Sequence, residues 1–282
     1  MEIFNEISPL RAFLKQARMS GKTLGFVPTM GALHDGHLSL LKVAKLENDI
    51  TICSIYVNPA QFNNPSDLSK YPRTIVRDSD MLKKVECDIL FNPIDEEIYP
   101  DSPQIKFDFG QLDKVMEGHF RPGHFSGVAL VVAKLFNIVE PNNVYFGQKD
   151  WQQFTIIKRM VQELKFNLEL KSIPTTREAD GLALSSRNLR LNPTQRGQAH
   201  ILYEALSFAK EQLWKERHDF PSVYQSVQEM FRDIPGVRLE YFELVDSINL
   251  KSISNVDEAN HPILCIAAYF GEVRLIDNMF LQ

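Results

Sequence analysis

The sequence predicts an α/β fold, a doubly wound parallel sheet followed by a smaller C-terminal α+β domain. Three observations lead there. Over residues 1–174, apolar strand-like runs alternate with stretches of helical periodicity. Over residues 175–282, helices come first and strands follow. The early strands are continuous apolar runs rather than alternating ones, as parallel strands covered on both faces require.

The first expected strand is TLGFV (23–27), bounded by Gly21-Lys22 and by Pro28. A helix follows from His37 to about Leu46, with His37, Leu40, Leu41 and Ala44 at helical spacing. ITICSIYV (50–57) reads as a buried parallel strand, Arg73 to Glu86 as a helix, and CDILF (87–91) as a short strand. KFDF (106–109) reads as a short strand or hairpin arm. His124 to Val139 is a helix rich in Val, Ala and Leu, and NVYF (143–146) is a strand. Trp151 to Leu164 is a helix expected to bury Phe154, Ile157, Val161 and Leu164. LELKSI (168–173) closes the alternating part.

The pattern changes near IPTTREADG (173–181). Asn192 opens a helix, with Pro193 in its first turn and Gln195 at the capping-box position. Helical stretches over 193–216 and 220–232 precede β-rich runs at 238–246, 262–270 and 273–277.

Composition narrows the function class. With 44% apolar residues and a net charge of -5 over 282 residues, the chain has a full core and no basic stripe for nucleic acid or membrane surfaces. Cys53, Cys87 and Cys265 are scattered without a C-x-x-C pair, which fits buried thiols better than a redox or zinc site. MEIFNEISPLRAF lacks a signal-type apolar stretch, and no run approaches membrane-spanning length, so a cytoplasmic protein is expected.

The chemistry concentrates at turns. VPTMGALHDGHLSLL (27–41) puts His34 after the first strand and His37 in the first turn of the next helix. In open α/β sheets, ligands bind beyond the carboxyl ends of strands, where helix N-termini offer unpaired N–H groups. Gly31 and Gly36 admit a ligand close to the backbone. An imidazole there donates to phosphate oxygens and, once protonated, adds positive charge as a pyrophosphate departs. A metalloprotease pair needs histidines four apart with an intervening Glu, which H-D-G-H lacks. A zinc pair lacks Cys or His partners nearby in sequence. Ordinary core histidines stay open on this stretch alone.

IYVNPAQF (55–62) sets Asn58 and Gln61 at the end of the second strand, where neutral amides suit a ligand mixing hydroxyl and carboxylate groups. YFGQKDWQQ (145–153) sets Lys149 at a glycine-flanked turn, Asp150 at an N-cap and Gln153 in the first helical turn. LSSRN (184–188) offers two hydroxyls and a guanidinium suited to phosphates. Each is also an ordinary polar turn. RPGHF (121–125) is a basic turn at a helix start, and His119, His200, His218 and His261 have no comparable context.

These motifs together resemble the pantothenate synthetase family, the pantoate–β-alanine ligases, within the HIGH-motif nucleotidylyltransferases. The resemblance runs nearly end to end through PTMGALHDGH, SIYVNPAQF, SDLSKYPRT, EEIYP, RPGHFSGV, FGQKDWQQ, DGLALSSRN and RLIDN. It implies a Rossmann-like domain over 1–174 that binds nucleotide and pantoate. A C-terminal α+β lid over 175–282 would then shield an acyl adenylate from water. The implied reaction has two steps. The carboxylate of (R)-pantoate attacks the α-phosphorus of ATP, and the amine of β-alanine then attacks pantoyl adenylate to release pantothenate and AMP. Mg²⁺ is implied as partner of the triphosphate, with no protein ligand assigned.

By the same resemblance, Met30, Gly31, Ala32, Leu33, His34, Asp35, Gly36 and His37 line the ATP site. Gly147, Gln148, Lys149 and Asp150 hold ATP as well, as do Leu184, Ser185, Ser186 and Arg187. His37 is the implied proton donor, His34 stands beside it, and Lys149 and Arg187 supply charge as pyrophosphate forms. Gln61 would contact pantoate and β-alanine, Gln153 pantoate, and Asn58 the same substrate pocket. Thr176 falls where the family usually has an apolar residue near adenine, and Ala60 varies within its motif. A homodimer is the implied assembly. Two rivals stay open: a related adenylyltransferase acting on another small substrate, and a tRNA-linked synthetase, which would need a basic surface.

Overall fold

The structure, a computed structural model, describes residues 1–216 and 219–281. The chain divides into two compact units, Met1–Gly147 with Ile156–Ile173, and Gln148–Thr155 with Pro174–Gln282.

The first unit is built on six strands: β1 (Glu2–Phe4), β2 (Leu24–Thr29), β3 (Ile50–Ile55), β4 (Ile89–Phe91), β5 (Asn143–Gly147) and β6 (Glu169–Ile173). Their spatial order is β1-β4-β3-β2-β5-β6, and all pairings are parallel. From β2 the chain builds outward through β3 and β4, then returns to lay β5 on the other side of β2. The order therefore reverses between β2 and β5, the kind of switch point where open sheets bind ligands. Helix Asp35–Glu47 links β2 to β3, helix Ile75–Lys84 links β3 to β4, and helix His124–Val139 precedes β5.

Burial explains why the strands read as continuous apolar runs. All of β3 is buried, as the central strands of a sheet covered on two faces must be. Leu41, Ala44, Cys53, Leu82, Leu90 and Tyr145 share one cluster, in which each fully buried large apolar side chain contributes about 1.5–3 kcal/mol. The helical spacing of Leu40, Leu41 and Ala44 is realised as a buried face. All three cysteines are free and buried.

Several sequence expectations are corrected. Pro28 does not end its strand. β2 continues to Thr29, with Pro28 opposite Ser54. Tyr56 N–H bonds to Thr29 O on the β3 side, so alternation turns the Pro28 nitrogen toward β5, whose pairing has already stopped at Phe26. No N–H is demanded there, and proline is tolerated. KFDF (106–109) forms no strand; Phe107 N–H instead bonds to Ser126 Oγ. Leu164 is exposed because its helix ends at Glu163, whereas Phe154, Ile157 and Val161 are buried as expected. The helix expected from Arg73 begins at Ile75. β1 and helix Ile7–Met19 are missing from the elements expected above, although Leu10, Leu14 and Ala17 stand at helical spacing and form that helix's buried face.

The second unit carries three antiparallel strands, β7 (Val237–Asp246), β8 (Pro262–Phe270) and β9 (Val273–Phe280), in that spatial order. Helices Ile201–Lys210 and Phe220–Arg232 supply Leu202, Leu206, Val223 and Val227 to a core with Phe242, Leu264 and Ile266. The capping box is present, Asn192 accepting the Gln195 N–H and Gln195 accepting that of Asn192. Among the described residues, no helix is long and apolar enough to cross a membrane.

Candidate active site

The turn after β2 is shaped by an unusual pair of residues. Gly31 (φ +79°) and Ala32 (φ +49°) are both left-handed. That conformation costs a residue with a Cβ roughly 1–2 kcal/mol, so something must hold Ala32 in place. Asp78 does. It is wholly buried on helix Ile75–Lys84, and its two carboxylate oxygens accept the N–H groups of Ala32 and Leu33, each at 2.9 Å. Thr74 Oγ1 donates to the same carboxylate at 3.1 Å. A Cβ at position 31 would meet Asp78 at 3.1 Å and Ile55 at 3.0 Å, so glycine there serves both conformation and space.

Asp78→Asn would turn an N–H₂ group toward backbone donors. The variant is expected to lose about 2 kcal/mol of stability, the usual scale for an unsatisfied buried donor. Denaturant unfolding checks this, and an unchanged midpoint would show that the turn stands without the brace.

His34 is the N-cap of helix Asp35–Glu47 and His37 its third residue. The His34 carbonyl accepts the N–H groups of His37 (2.8 Å) and Leu38 (3.1 Å), which starts the helix. His37 Nδ1 accepts the His34 N–H in a long bond of 3.4 Å, and the ring centroids lie 4.0 Å apart. Accepting at Nδ1 requires a lone pair, which places the neutral ring's proton on Nε2. His37 is therefore a donor at Nε2 without first becoming charged. Asp35 and Gly36 occupy the same first turn.

The rim after β3 is built by a 3₁₀ turn, Pro59–Gln61, capped by Asn58. Both Asn58 and Gln61 are buried. Gln61 Nε2 reaches Met30 Sδ at 3.1 Å, joining this rim to the β2 turn. The Gln61 main chain is held separately: His124 Nδ1 donates to its carbonyl at 2.8 Å, and Arg121 donates to His124 Nε2 at 3.0 Å. Arginine only donates, so His124 must carry its proton on Nδ1. The RPGHF turn thus acts as a brace for Gln61. Helix His124–Val139 comes close because Gly127 has no Cβ; one would lie 2.2 Å from the Ala60 carbonyl.

The remaining candidates fall in the second unit, apart from Gly147, which ends β5. Gln148–Asp150 forms a 3₁₀ turn ahead of helix Trp151–Glu163, with Lys149 Nζ 3.6 Å from Asp150 Oδ1. Asn278 Nδ2 donates to the carbonyls of Gln148 (2.9 Å) and Lys149 (2.7 Å), pinning this turn to β9. The preceding residue, Asp277, is buried and bonds Arg177, whose guanidinium also reaches the Gly181 carbonyl at 3.0 Å. Burial pushes the Asp277 carboxyl up, and Arg177 opposes that shift. Arg177 opens a hairpin that returns at Ala183, where Leu184 N–H bonds to the Thr176 carbonyl at 3.0 Å. Thr176 thus pairs with Leu184 through its backbone carbonyl. Ser185 Oγ accepts the Arg187 N–H at the start of turn Ser186–Arg190. Two consecutive residues of β9 therefore hold the Gln148–Lys149 turn directly and, through Arg177, the hairpin that leads into Leu184–Arg187.

Gln153 is half-buried in the first turn of helix Trp151–Glu163. His200 pairs with Glu204 at 3.5 Å on the surface, and His218 lies outside the described residues. Sequence reasoning missed Asp78, His124 and the β9 pair. Their only signals were an aspartate four residues before the inward-facing Leu82 and the RPGHF and RLIDN motifs. Among the described residues, no group of three or more His, Cys, Asp or Glu is placed to hold a metal ion.

The profile of the pantoate-β-alanine ligase family matches residues 2–280. The chain is 46% identical to the pantothenate synthetase of Phocaeicola vulgatus over 284 residues, 99% of either protein. It is 46% identical to that of Porphyromonas gingivalis over 279 residues, again 99% of either. Among solved structures, pantothenate synthetase from Thermus thermophilus matches with a TM-score of 0.93 at 40% identity, covering 100% of this chain and 99% of that one. Pantoate-beta-alanine ligase from Francisella tularensis, solved with beta-gamma ATP and beta-alanine, matches with a TM-score of 0.84 at 37% identity over 100% of this chain and 98% of that one. With its histidine turn at the end of β2 and an end-to-end match of this kind, the chain belongs to the pantoate-β-alanine ligase family.

Proposed function

We propose that this chain joins (R)-pantoate to β-alanine in an ATP-dependent reaction, giving pantothenate, AMP and pyrophosphate through pantoyl adenylate. The observation that carries the reading is the family match across residues 2–280. A free carboxylate is a poor acylating agent. Attack of its oxygen on the α-phosphorus breaks the bond to pyrophosphate and makes AMP the leaving group. The β-alanine amine then attacks the acyl carbon, AMP departs, and the nitrogen gives up a proton.

The residue roles belong to the same proposal. His37 donates from Nε2 to phosphate oxygens as charge gathers on the departing diphosphate, with His34 beside it. Lys149 and Arg187 add positive charge, and the segments Met30–His37, Gly147–Asp150 and Leu184–Arg187 line the nucleotide. Gln61, supported by Asn58, orients pantoate and then β-alanine, and Gln153 contacts pantoate. Mg²⁺ is taken to enter with the triphosphate, since it dehydrates reluctantly and binds largely through phosphates and water. We include a homodimer and a cytoplasmic setting, which suits three free buried thiols.

The test is ATP–pyrophosphate exchange without β-alanine. Exchange is expected only when pantoate is present. Exchange indifferent to pantoate would remove the first step, and turnover that never consumes β-alanine would make the protein an adenylyltransferase.

A further inference from the structure

The EEIYP segment belongs to the family resemblance, yet none of its residues carries a role in the proposed reaction. Its Tyr99 follows the short helix Asp95–Ile98, and its hydroxyl donates to Asn58 Oδ1 at 2.9 Å. The ring is fixed from other directions. Lys134 Nζ lies 4.9 Å above its centroid while donating to the Ile98 carbonyl at 2.8 Å, and the Tyr56 ring lies 6.4 Å away. Burial, with the Asp95 carboxylate adding to it, pushes the phenol up to about 12, so it keeps its proton.

An amide side chain has two ends of similar shape and opposite hydrogen-bonding sense, so neighbours must choose its orientation. At Asn58 they agree. Oδ1 accepts from Tyr99 and from the Ala60 N–H at 3.3 Å, a group that can only donate. Nδ2 donates to the Gly127 carbonyl at 3.2 Å, a group that can only accept, and to Gln61 Oε1 at 3.0 Å. Gln61 thereby commits its oxygen to Asn58 and turns its N–H₂ the other way, where it meets Met30 Sδ at 3.1 Å. A thioether is a weak acceptor. A hydroxyl or carboxylate oxygen at that place would be a better one.

We infer that the Tyr99 hydroxyl is a positioning group for substrate recognition. It donates the shorter of the two bonds to Asn58 Oδ1 and so steadies an amide whose sense the Ala60 N–H and the Gly127 carbonyl fix. Through Asn58 it keeps the N–H₂ end of Gln61 toward the ligand, which favours an acidic, hydroxylated substrate presenting an acceptor oxygen there. This rests on the proposed role of Gln61. The Gln61 main chain is held independently by His124, so loss of the Tyr99 hydroxyl loosens the amide without releasing the turn.

Tyr99→Phe keeps the ring and its cation contact and removes only the donor. It is expected to raise the KM for pantoate roughly three- to tenfold, the usual effect of one lost hydrogen bond, with the KM for ATP unchanged. In a Gln61→Ala background the same change should add nothing. Asn58→Asp replaces the donor that holds Gln61 Oε1 by an acceptor, and should raise the pantoate KM further than Tyr99→Phe does. A wild-type pantoate KM in both single variants, an equal rise in the ATP KM, or effects that simply add to those of Gln61→Ala would each overturn the inference. Failure of the parent reading looks different: wild-type protein would then show no pantoate-dependent exchange, which overturns both.

Discussion

Replacing His37 by alanine is expected to lower kcat for adenylate formation by about two to three orders of magnitude, the usual size for losing one preorganised transition-state donor. The geometry makes the prediction specific. His37 stands third in its helix with Nδ1 turned back to the His34 N–H, so its Nε2 proton is held at one place before any substrate arrives. Alanine removes two things together, that donor and the acceptor that helps start the helix. His37→Gln separates them, because glutamine at this helix position is the usual capping-box acceptor but carries no imidazole. Equal losses in the two variants assign the effect to the ring. Recovery in His37→Gln would assign it to the helix start, and full exchange activity in His37→Ala would remove the residue from the mechanism.

How much of this was legible depends on what each residue interacts with. The paired histidines could be read from sequence because their neighbours in the chain define their setting: a strand before, a glycine-bearing turn, and a helix after. The same holds for Asn58 and Gln61, and for the capping pair Asn192 and Gln195. The residues that give these groups their geometry could not be read that way. Asp78 holds Ala32 and Leu33 from 46 and 45 positions away, and Asn278 holds Lys149 from 129. No periodicity links such pairs, and an aspartate on a helix is ordinarily a surface residue. KFDF failed for the opposite reason: its alternation is a strand pattern, but no neighbouring strand takes it up. Pro28 shows that a local rule can hold and still mislead, since the missing N–H matters only where a partner strand asks for it.

Lys149→Ala is expected to cost a similar factor, about two to three orders of magnitude in kcat, while leaving the fold almost untouched. Asn278 holds the Gln148 and Lys149 turn through main-chain carbonyls, which survive truncation of the side chain. The Lys149 side chain is mostly buried, but its ammonium group lies 3.6 Å from an Asp150 carboxylate that is half exposed, so the pair is long and screened at its acidic end and contributes about 1 kcal/mol. The melting temperature should therefore move little while turnover collapses, a combination that separates loss of charge from loss of structure. Lys149→Arg restores the charge but not the compact three-donor head, so partial recovery is expected rather than full. Pre-steady-state measurement of pyrophosphate release in the alanine variant gives the decisive reading. If release keeps its wild-type rate, then the positive charge at this turn does not act on the departing diphosphate, and its place in the first step is lost.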